Sequence, residues 1–566
     1  MSKVMVKYRV KLDYKIKVLV HSTPDAFATR YQRARSVVIN PELVLSWWVL
    51  VMIIGGSCAP GSSSEDRLAS AEPVSDESQG LSGQELARQH CASCHAYVGP
   101  EMLPRAVWAD VLTDMGHRMG MYKNGTPPDS LFEAGIAATL VKQAKVYPSQ
   151  PTVSPEAWRK LRDYYQQQAP ESLVVSYRTI DASGRLPFRY RPSRFSQSPP
   201  LTNLVKILPG RGVVFGDGKR DGSSFNQLDT QLRRTYDIRL PTTPVHLREK
   251  DDTVYLTTIG RKMLPSDQPE GAVQQLFSRE PDRPPTSARL LLRDMQRPVH
   301  TAYADLNQDG REDIVVCEFG NLVGKLAWYE NTGNGNYTPH VLKSTPGATR
   351  VLVRDINNDG QPDLLVLMAQ GDEGIYLFAN QNGNFTEKRL LRFPPVYGST
   401  YFDLVDFNGD GHLDILYTCG DNADLSPVLK EFHGIYLFTN DGAMNFTQAY
   451  FFPLHGAYKA LTEDYDQDGD LDIAAISFFP DYEHSPEESF VYLENQGDLR
   501  FQAASFPEVT RGRWIVMDSG DLDQDGDIDL ALGSFVGFSP EGDTTGLYEQ
   551  WLKSSPSVVV LENTTH

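Results

Sequence analysis

Apolar and polar positions along the chain fall into three regimes. A basic lead of residues 1–42 gives way to one apolar run, Leu43 to Ile54, which ends in Gly55-Gly56-Ser57-Cys58. From about residue 83 to 168 the pattern is helical. Gly83-Gln84-Glu85-Leu86-Ala87-Arg88-Gln89-His90 reads as one helix, and Trp108, Leu112, Met115 and Met119, at i, i+4, i+7 and i+11, share one face of a second. Ser154-Pro155-Glu156-Ala157-Trp158 predicts a third, with a hydroxyl cap and a proline in the first turn, continuing through Leu161, Tyr164 and Tyr165 to about Gln168. From about residue 200 the chain turns to short apolar and aromatic strands between polar turns, and the pattern repeats.

The repeat is anchored by five acidic loops. Asp305, Asn307, Asp309 and Gly310 alternate along the first, with Asp313 opening an apolar strand; Asp355, Asn357, Asp359, Gly360 and Asp363 form the second, and Asp406, Asn408, Asp410, Gly411 and Asp414 the third. Two richer loops follow, Asp464, Asp466, Asp468, Gly469, Asp470 and Asp472, then Asp521, Asp523, Asp525, Gly526, Asp527 and Asp529. Their starts lie 50, 51, 58 and 57 residues apart, the spacing of a repeat array or propeller. Oxygen side chains at positions 1, 3 and 5, with glycine at 6, wrap a hard cation such as calcium. Position 7 (Arg311, Gln361, His412, Asp470 or Asp527) supplies a backbone carbonyl and position 9 the last carboxylate. An EF-hand is excluded, because position 12 is Val316, Val366, Tyr417, Ala475 or Leu532 rather than Glu. About five Ca2+ ions are expected.

After each loop a strand with aromatics runs into an Asn–Gly turn, as in Trp328-Tyr329-Glu330-Asn331 before Gly333 and Tyr492-Leu493-Glu494-Asn495 before Gly497. An aromatic (Tyr337, Phe385, Phe446 or Phe501) then opens the next strand. The unit is a four-stranded blade. These residues resemble FG-GAP/VCBS repeats, the blades of integrin-like β-propellers, over about residues 300–566. Residues 199–297 read as two degenerate blades without the loop, which brings the number to seven. Ser557 to Asn563 matches a penultimate strand, so the last strand is expected from the N-terminal side of the propeller. Cys317 and Cys419 follow the first and third loops and read as buried free thiols.

Cys91-Ala92-Ser93-Cys94-His95 is a C-x-x-C-H motif. Its two thiols can form thioethers with a haem, and His95 then reaches the iron. A zinc site would want four ligands, and no second Cys/His pair stands nearby. A redox dithiol would usually stand in a βαβ context, absent here. With its helical flanks the segment resembles a small class I cytochrome c over residues 80–172. One covalent haem c is expected, with Met115 as sixth ligand and Met119 as runner-up among Met102, Met115, Met119, Met121 and His117. Such a stripe is also what ordinary core packing looks like.

The basic lead, short apolar core and small residues before Cys58 read as an export signal. The ending resembles a bacterial lipoprotein signal, which implies lipidation of Cys58 and a periplasmic or cell-surface protein anchored in a membrane, the outer one by expectation. The organisation is then a signal over 1–57, a Ser/Pro/Gly-rich tether over 58–82, a cytochrome c-like domain over 83–172, a linker over 173–198 and a propeller over 199–566. The fold class expected is a small all-α domain followed by an all-β, seven-bladed β-propeller.

Charge sharpens this picture. The chain of 566 residues has 54 basic and 73 acidic side chains, a net charge of −19, which argues against a nucleic-acid partner. Five cysteines are too few for a disulfide scaffold. Nineteen aspartates occupy positions 1, 3, 5, 7 and 9 of the loops. Removal of residues 1–57 takes the charge to about −25, and five calcium ions return it to about −15. The expected function is single-electron transfer to a redox partner protein, with a propeller that binds a protein or polysaccharide. A haem-linked oxidoreductase acting on a small molecule or sugar, and an adhesin or lectin, are the alternatives; an electron carrier and binding protein fits the residues better than a self-contained enzyme.

Overall fold

The computed structural model describes residues 80–565 apart from 177–179, 183–185, 220–221, 252, 262, 279–282, 423–427 and 541–542. All described residues belong to one compact unit, Ala71–His566. The signal over 1–57, Cys58 and tether residues 58–79 lie outside the described residues. Among those described, no helix is long and apolar enough to cross a membrane.

Helix α1, Gly83–Cys91, starts in a capping box. The Ser82 hydroxyl accepts from the Glu85 N–H while the Glu85 carboxylate accepts from the Ser82 N–H at 2.8 Å, satisfying two end donors reciprocally. Helices α2, Arg105–Arg118, and α3, Ile136–Gln143, follow, and α4, Pro155–Gln168, closes the domain under its Ser154 cap. Leu86, Trp108, Leu112, Trp158, Leu161 and Tyr165 form one buried core. Helices α1 and α4 cross at Gly83, where a Cβ would stand 2.4 Å from the Lys160 carbonyl oxygen, so only glycine allows the approach.

Seven antiparallel four-stranded sheets make up the rest. Blades one to six span 202–240, 244–295, 298–343, 348–392, 399–453 and 457–504. The first strands of successive blades pack on one another in an unbroken ring. The second strands of blades three to seven, Asp313–Glu318, Asp363–Met368, Asp414–Cys419, Asp472–Ser477 and Asp529–Ser534, are buried along their whole length, each beginning with a position-9 aspartate. Cys317 and Cys419 are buried free thiols on two of them.

Blade seven joins the two ends of the propeller. Trp514–Gly520, Asp529–Ser534 and Val558–Asn563 are completed by Phe188–Pro192, which pairs antiparallel with Val558–Asn563, Tyr190 opposite Leu561. The segment 173–198 is therefore more than the linker expected from its composition: it contains the strand that shuts the ring. Glu562 holds that strand through Arg189 and through Arg191, the latter at 2.6 Å. A short helix α5, Leu547–Ser554, lies between the second and third strands of this blade and buries Trp551, whose Nε1 donates to the Thr510 carbonyl.

Among the described residues the helical domain touches the propeller through Glu133 and through its apolar core. Glu133 accepts from Ser266 Oγ at 2.9 Å and from the Asp267 N–H at 3.0 Å, both in blade two. Val396 and Val428, of blades four to five, pack against the helical core.

Candidate functional site

The five acidic loops fold alike. In each, one carboxylate oxygen of position 1 accepts from the N–H of the position-6 glycine, at 2.8 to 3.2 Å. An oxygen of position 5 accepts from the position-7 N–H at 2.8 to 3.2 Å. The glycines sit at φ between 82° and 100°, the left-handed region. The carboxylates of positions 1 and 5 are thus turned into the same small bowl by the backbone they bind.

The bowls differ in content. In the blade-six and blade-seven loops, oxygens of Asp464, Asp466 and Asp468, and of Asp521, Asp523 and Asp525, lie within 4.8 Å of one another. In the other three, position 3 is asparagine, and Asn307, Asn357 and Asn408 donate to Asp309, Asp359 and Asp410 at 3.0 to 3.2 Å. Position 7 carries Arg311, Gln361 and His412 there, and Arg311 pairs with Asp309, so the first loop already holds a cation of its own. Burial and crowding with Asp468 raise the pKa values of Asp466 and Asp470, and burial with Asp525 and Glu562 nearby raises that of Asp523.

Position 9 has a separate job. Asp313, Asp363, Asp414, Asp472 and Asp529 are fully buried. Each accepts the position-2 N–H at 2.8 to 3.3 Å and, through its other oxygen, the N–H of an asparagine on the third strand at 2.7 to 2.9 Å. In the blade-six loop the oxygen that accepts the Tyr465 N–H also accepts the Tyr492 hydroxyl at 2.6 Å, so both of its lone pairs are used. Desolvation raises Asp472 and Asp529 to about 6.

A role the sequence reading missed belongs to position 2. Phe407 packs with Phe501, ring centroids 5.8 Å apart, and Tyr465 with Phe188 at 5.4 Å, while Leu306 shares an apolar cluster with Phe385, Ile356 with Phe446 and Leu522 with Leu232. Each partner belongs to the next blade, so every loop staples its blade to its neighbour. The signal was present as an apolar residue second in all five loops.

The thiol pair closes helix α1. Cys91 is its last residue and half-buried, Cys94 is exposed, and burial pushes the Cys91 thiol up to about 11. His95 Nδ1 lies 2.8 Å from the Ala96 carbonyl oxygen. A carbonyl only accepts, so Nδ1 donates, which leaves Nε2 as the ring nitrogen open to a ligand. Met102, Met115, Met119 and Met121 are partly buried against the same core as Cys91. Met119 departs from the expected stripe. Helix α2 stops at Arg118 and Met119 is its cap, because Gly120 at φ 77° and the Met121 N–H bonded to the Gly116 carbonyl end the helix in a Schellman turn. Met115 stays on the helix with the buried Trp108 and Leu112.

Comparison with known proteins bears on the loops. The profile of the FG-GAP-like repeat matches residues 305–366, 355–417 and 464–532, which takes in all five. The propeller carries FG-GAP-like repeats. Solved structures similar to the chain include the N-terminal domain of Nup159 (12% identity, TM-score 0.39, 66% of this chain and 95% of that one) and a nidogen/laminin complex (12%, 0.28, 52% and 89%). An ancestral GH74 enzyme is similar at 10% identity and TM-score 0.39, over 61% of this chain and 44% of the other. Likeness at this level says nothing of function. The comparison with curated proteins finds no match.

Proposed function

We propose that the chain is an exported, lipid-anchored c-type haem protein that passes single electrons, joined to a calcium-stiffened propeller that binds a partner protein or polysaccharide. The observation that carries the reading is the setting of His95: its Nδ1 lies 2.8 Å from the Ala96 carbonyl oxygen, which leaves Nε2 as the nitrogen to serve as a ligand atom, one residue from the second of two thiols. A carbonyl bond of this kind also fixes the orientation of the ring. Cys91 and Cys94 are the residues that would hold a haem through thioethers, and His95 with Met115, or Met119 in its place, would cap the iron. The half-buried methionines around the core would supply that soft ligand. Bound haem supplies one-electron chemistry, and a thioether ligand raises its potential. Leu86, Trp108 and Tyr165 exclude water from the same region.

Calcium fits the loops in graded fashion. The blade-six and blade-seven bowls offer five aspartates each, and burial first, then neighbouring carboxylates, raises the pKa values of Asp466, Asp470 and Asp523. The three asparagine-bearing loops offer less charge, and Arg311 competes in the first.

The test is the difference spectrum of protein matured by a haem-attachment system. A six-coordinate, low-spin c-type spectrum is expected, lost in Cys91→Ala/Cys94→Ala. Matured wild-type protein without covalent haem would overturn the electron-transfer reading and leave the propeller as a binding module.

A further inference from the structure

The loop staples leave two junctions of the ring unserved. Loops of blades three to seven reach over blades four, five, six, seven and one in turn, through the position-2 contacts described above. Blade two has no such loop. Its first strand, Pro244–Lys250, reverses at Asp251 into Thr253–Thr258. Among the described residues no acidic loop is therefore laid across the outer turn of blade three, and a groove of about 420 Å³ opens there, between blades two and three. That volume lies in the range of small-ligand sites, roughly 300–1,000 Å³.

The lining is aromatic and cationic. Tyr255 and Tyr303 meet edge to face at 5.2 Å, and Tyr337 joins them from the turn of blade three. The phenol oxygens of Tyr255 and Tyr337 hydrogen-bond to no described residue. Glu312 is already taken by Arg248, at 2.7 and 2.8 Å, and by Lys250 at 3.4 Å. Arg311 is held by the Asn331 carbonyl at 2.6 Å and by Asp309. Arg289 has no ion-pair or hydrogen-bond partner among the described residues and lies over the bare backbone of Gly335, where a Cβ would meet its Nη2. The groove thus holds one uncommitted guanidinium beside three phenol rings and the exposed Asn334.

We propose that this groove binds a short acidic saccharide, of about two sugar rings. The inference rests on the reading of the propeller as a binding module, and names its site and ligand class. The apolar C–H face of a pyranose packs on a phenol ring, its hydroxyls meet Tyr255, Tyr337 and Asn334, and a ring carboxylate takes the fork of Arg289. A neutral sugar would leave that guanidinium unpaired.

Titration calorimetry of the calcium-loaded protein with tetragalacturonate, and with cellotetraose as the neutral probe of equal length, tests this. The acidic probe is expected to bind and the neutral one to bind more weakly. Arg289→Ala should weaken binding about ten- to a hundredfold at unchanged melting temperature, and Tyr337→Ala by a like factor with some loss of stability, since its ring also packs on the core between blades two and three. Arg289→Lys, which keeps the charge without the fork, should fall between, and Arg511→Ala, in a separate groove lined by Tyr190 and Phe506, should change nothing. Acidic-probe binding indifferent to Arg289→Ala and Tyr337→Ala would overturn the groove while the binding-module reading stands. Preference for the neutral probe would overturn the ligand class. No binding of either probe would overturn the proposal and leave a protein as the propeller's partner.

Discussion

Replacing Asp468 by Asn separates a calcium site from an ordinary acidic turn, because only a metal site makes the effect of the substitution depend on calcium. Asp468 accepts the Asp470 N–H at 3.1 Å and shares its bowl with Asp464 and Asp466. Asparagine keeps the acceptor oxygen and removes only the charge. With calcium at tenfold its Kd, one site stabilises the fold by about 1.4 kcal/mol, and five equal sites by about 7 kcal/mol. The unfolding entropy of residues 188–563 is roughly 0.8 kcal/mol/K. Chelation should therefore lower the melting temperature by about 9 °C, and Asp468→Asn in calcium by about 2 °C. In chelator the same substitution relieves the crowding that raises Asp466 and Asp470, so the melting temperature should hold or rise. Differential scanning calorimetry with and without chelator reads all four states. An equal loss from Asp468→Asn in both conditions would refute the metal site, as would a wild-type melting temperature that chelator leaves unmoved.

Four further outcomes are expected. Met115→Ala in haem-loaded protein should abolish the sulfur-to-iron charge-transfer band while Met119→Ala keeps it; the reverse result would exchange their roles. Leu522→Ala, at a fully buried position, should cost about 2–5 kcal/mol by cutting the staple between blades seven and one, with melting read by circular dichroism; a change near zero would remove the staple from the account. Gly83→Ala should destabilise the helical domain by about 1–3 kcal/mol, visible in the near-ultraviolet signal of Trp108 and Trp158, because its methyl meets the Lys160 carbonyl. Asp472 and Asp529 sit near 6 in metal-free protein against 3.8 ordinarily; a raised carboxylate costs stability once ionised, so chelated protein should gain stability as pH falls from about 7 to 4, while calcium affinity falls over the same window. Affinity independent of pH would place the ion away from these residues.

What could be read from the residues follows from how local each device is. The loops were legible because ligand spacing, the position-6 glycine and the following strand lie within a dozen residues and return five times. The helix α4 cap was legible for the same reason, as Ser154 and Pro155 stand beside the turn they start. That the ring closes with a strand from the N-terminal side was legible in the match of Ser557–Asn563 to a penultimate strand, but its position at Phe188–Pro192, within the expected linker, was not, because its partner, Val558–Asn563, lies some 370 residues away. An unpaired five-residue segment with a proline at its end has no pattern of its own. Met119 was placed on a helix face because the apolar period runs on past Arg118, although Gly120 marks the end. The groove at blade three was illegible because it is made by a missing loop one blade earlier, and an absence of residues gives no motif.

The loop aspartates divide into two populations, and the division says what calcium does. Positions 1, 3 and 5 gather charge at the surface and need an ion to offset it. Position 9 is buried, accepts two backbone N–H groups and ties the second strand to the third before any metal arrives. The position-2 side chain, one residue after the first ligand, is packed between blades. A bound ion therefore fixes the residue before each staple and the one that begins each buried strand, so it stiffens the junctions of a ring whose sheets are already formed. Chelated protein should accordingly keep its strand content below the melting transition and lose protection first at amides 305–313, 355–363, 406–414, 464–472 and 521–529. Hydrogen exchange measures this directly. Uniform loss of protection across all seven blades would mean that the metal holds the fold itself, and the two-population account of the aspartates would be wrong.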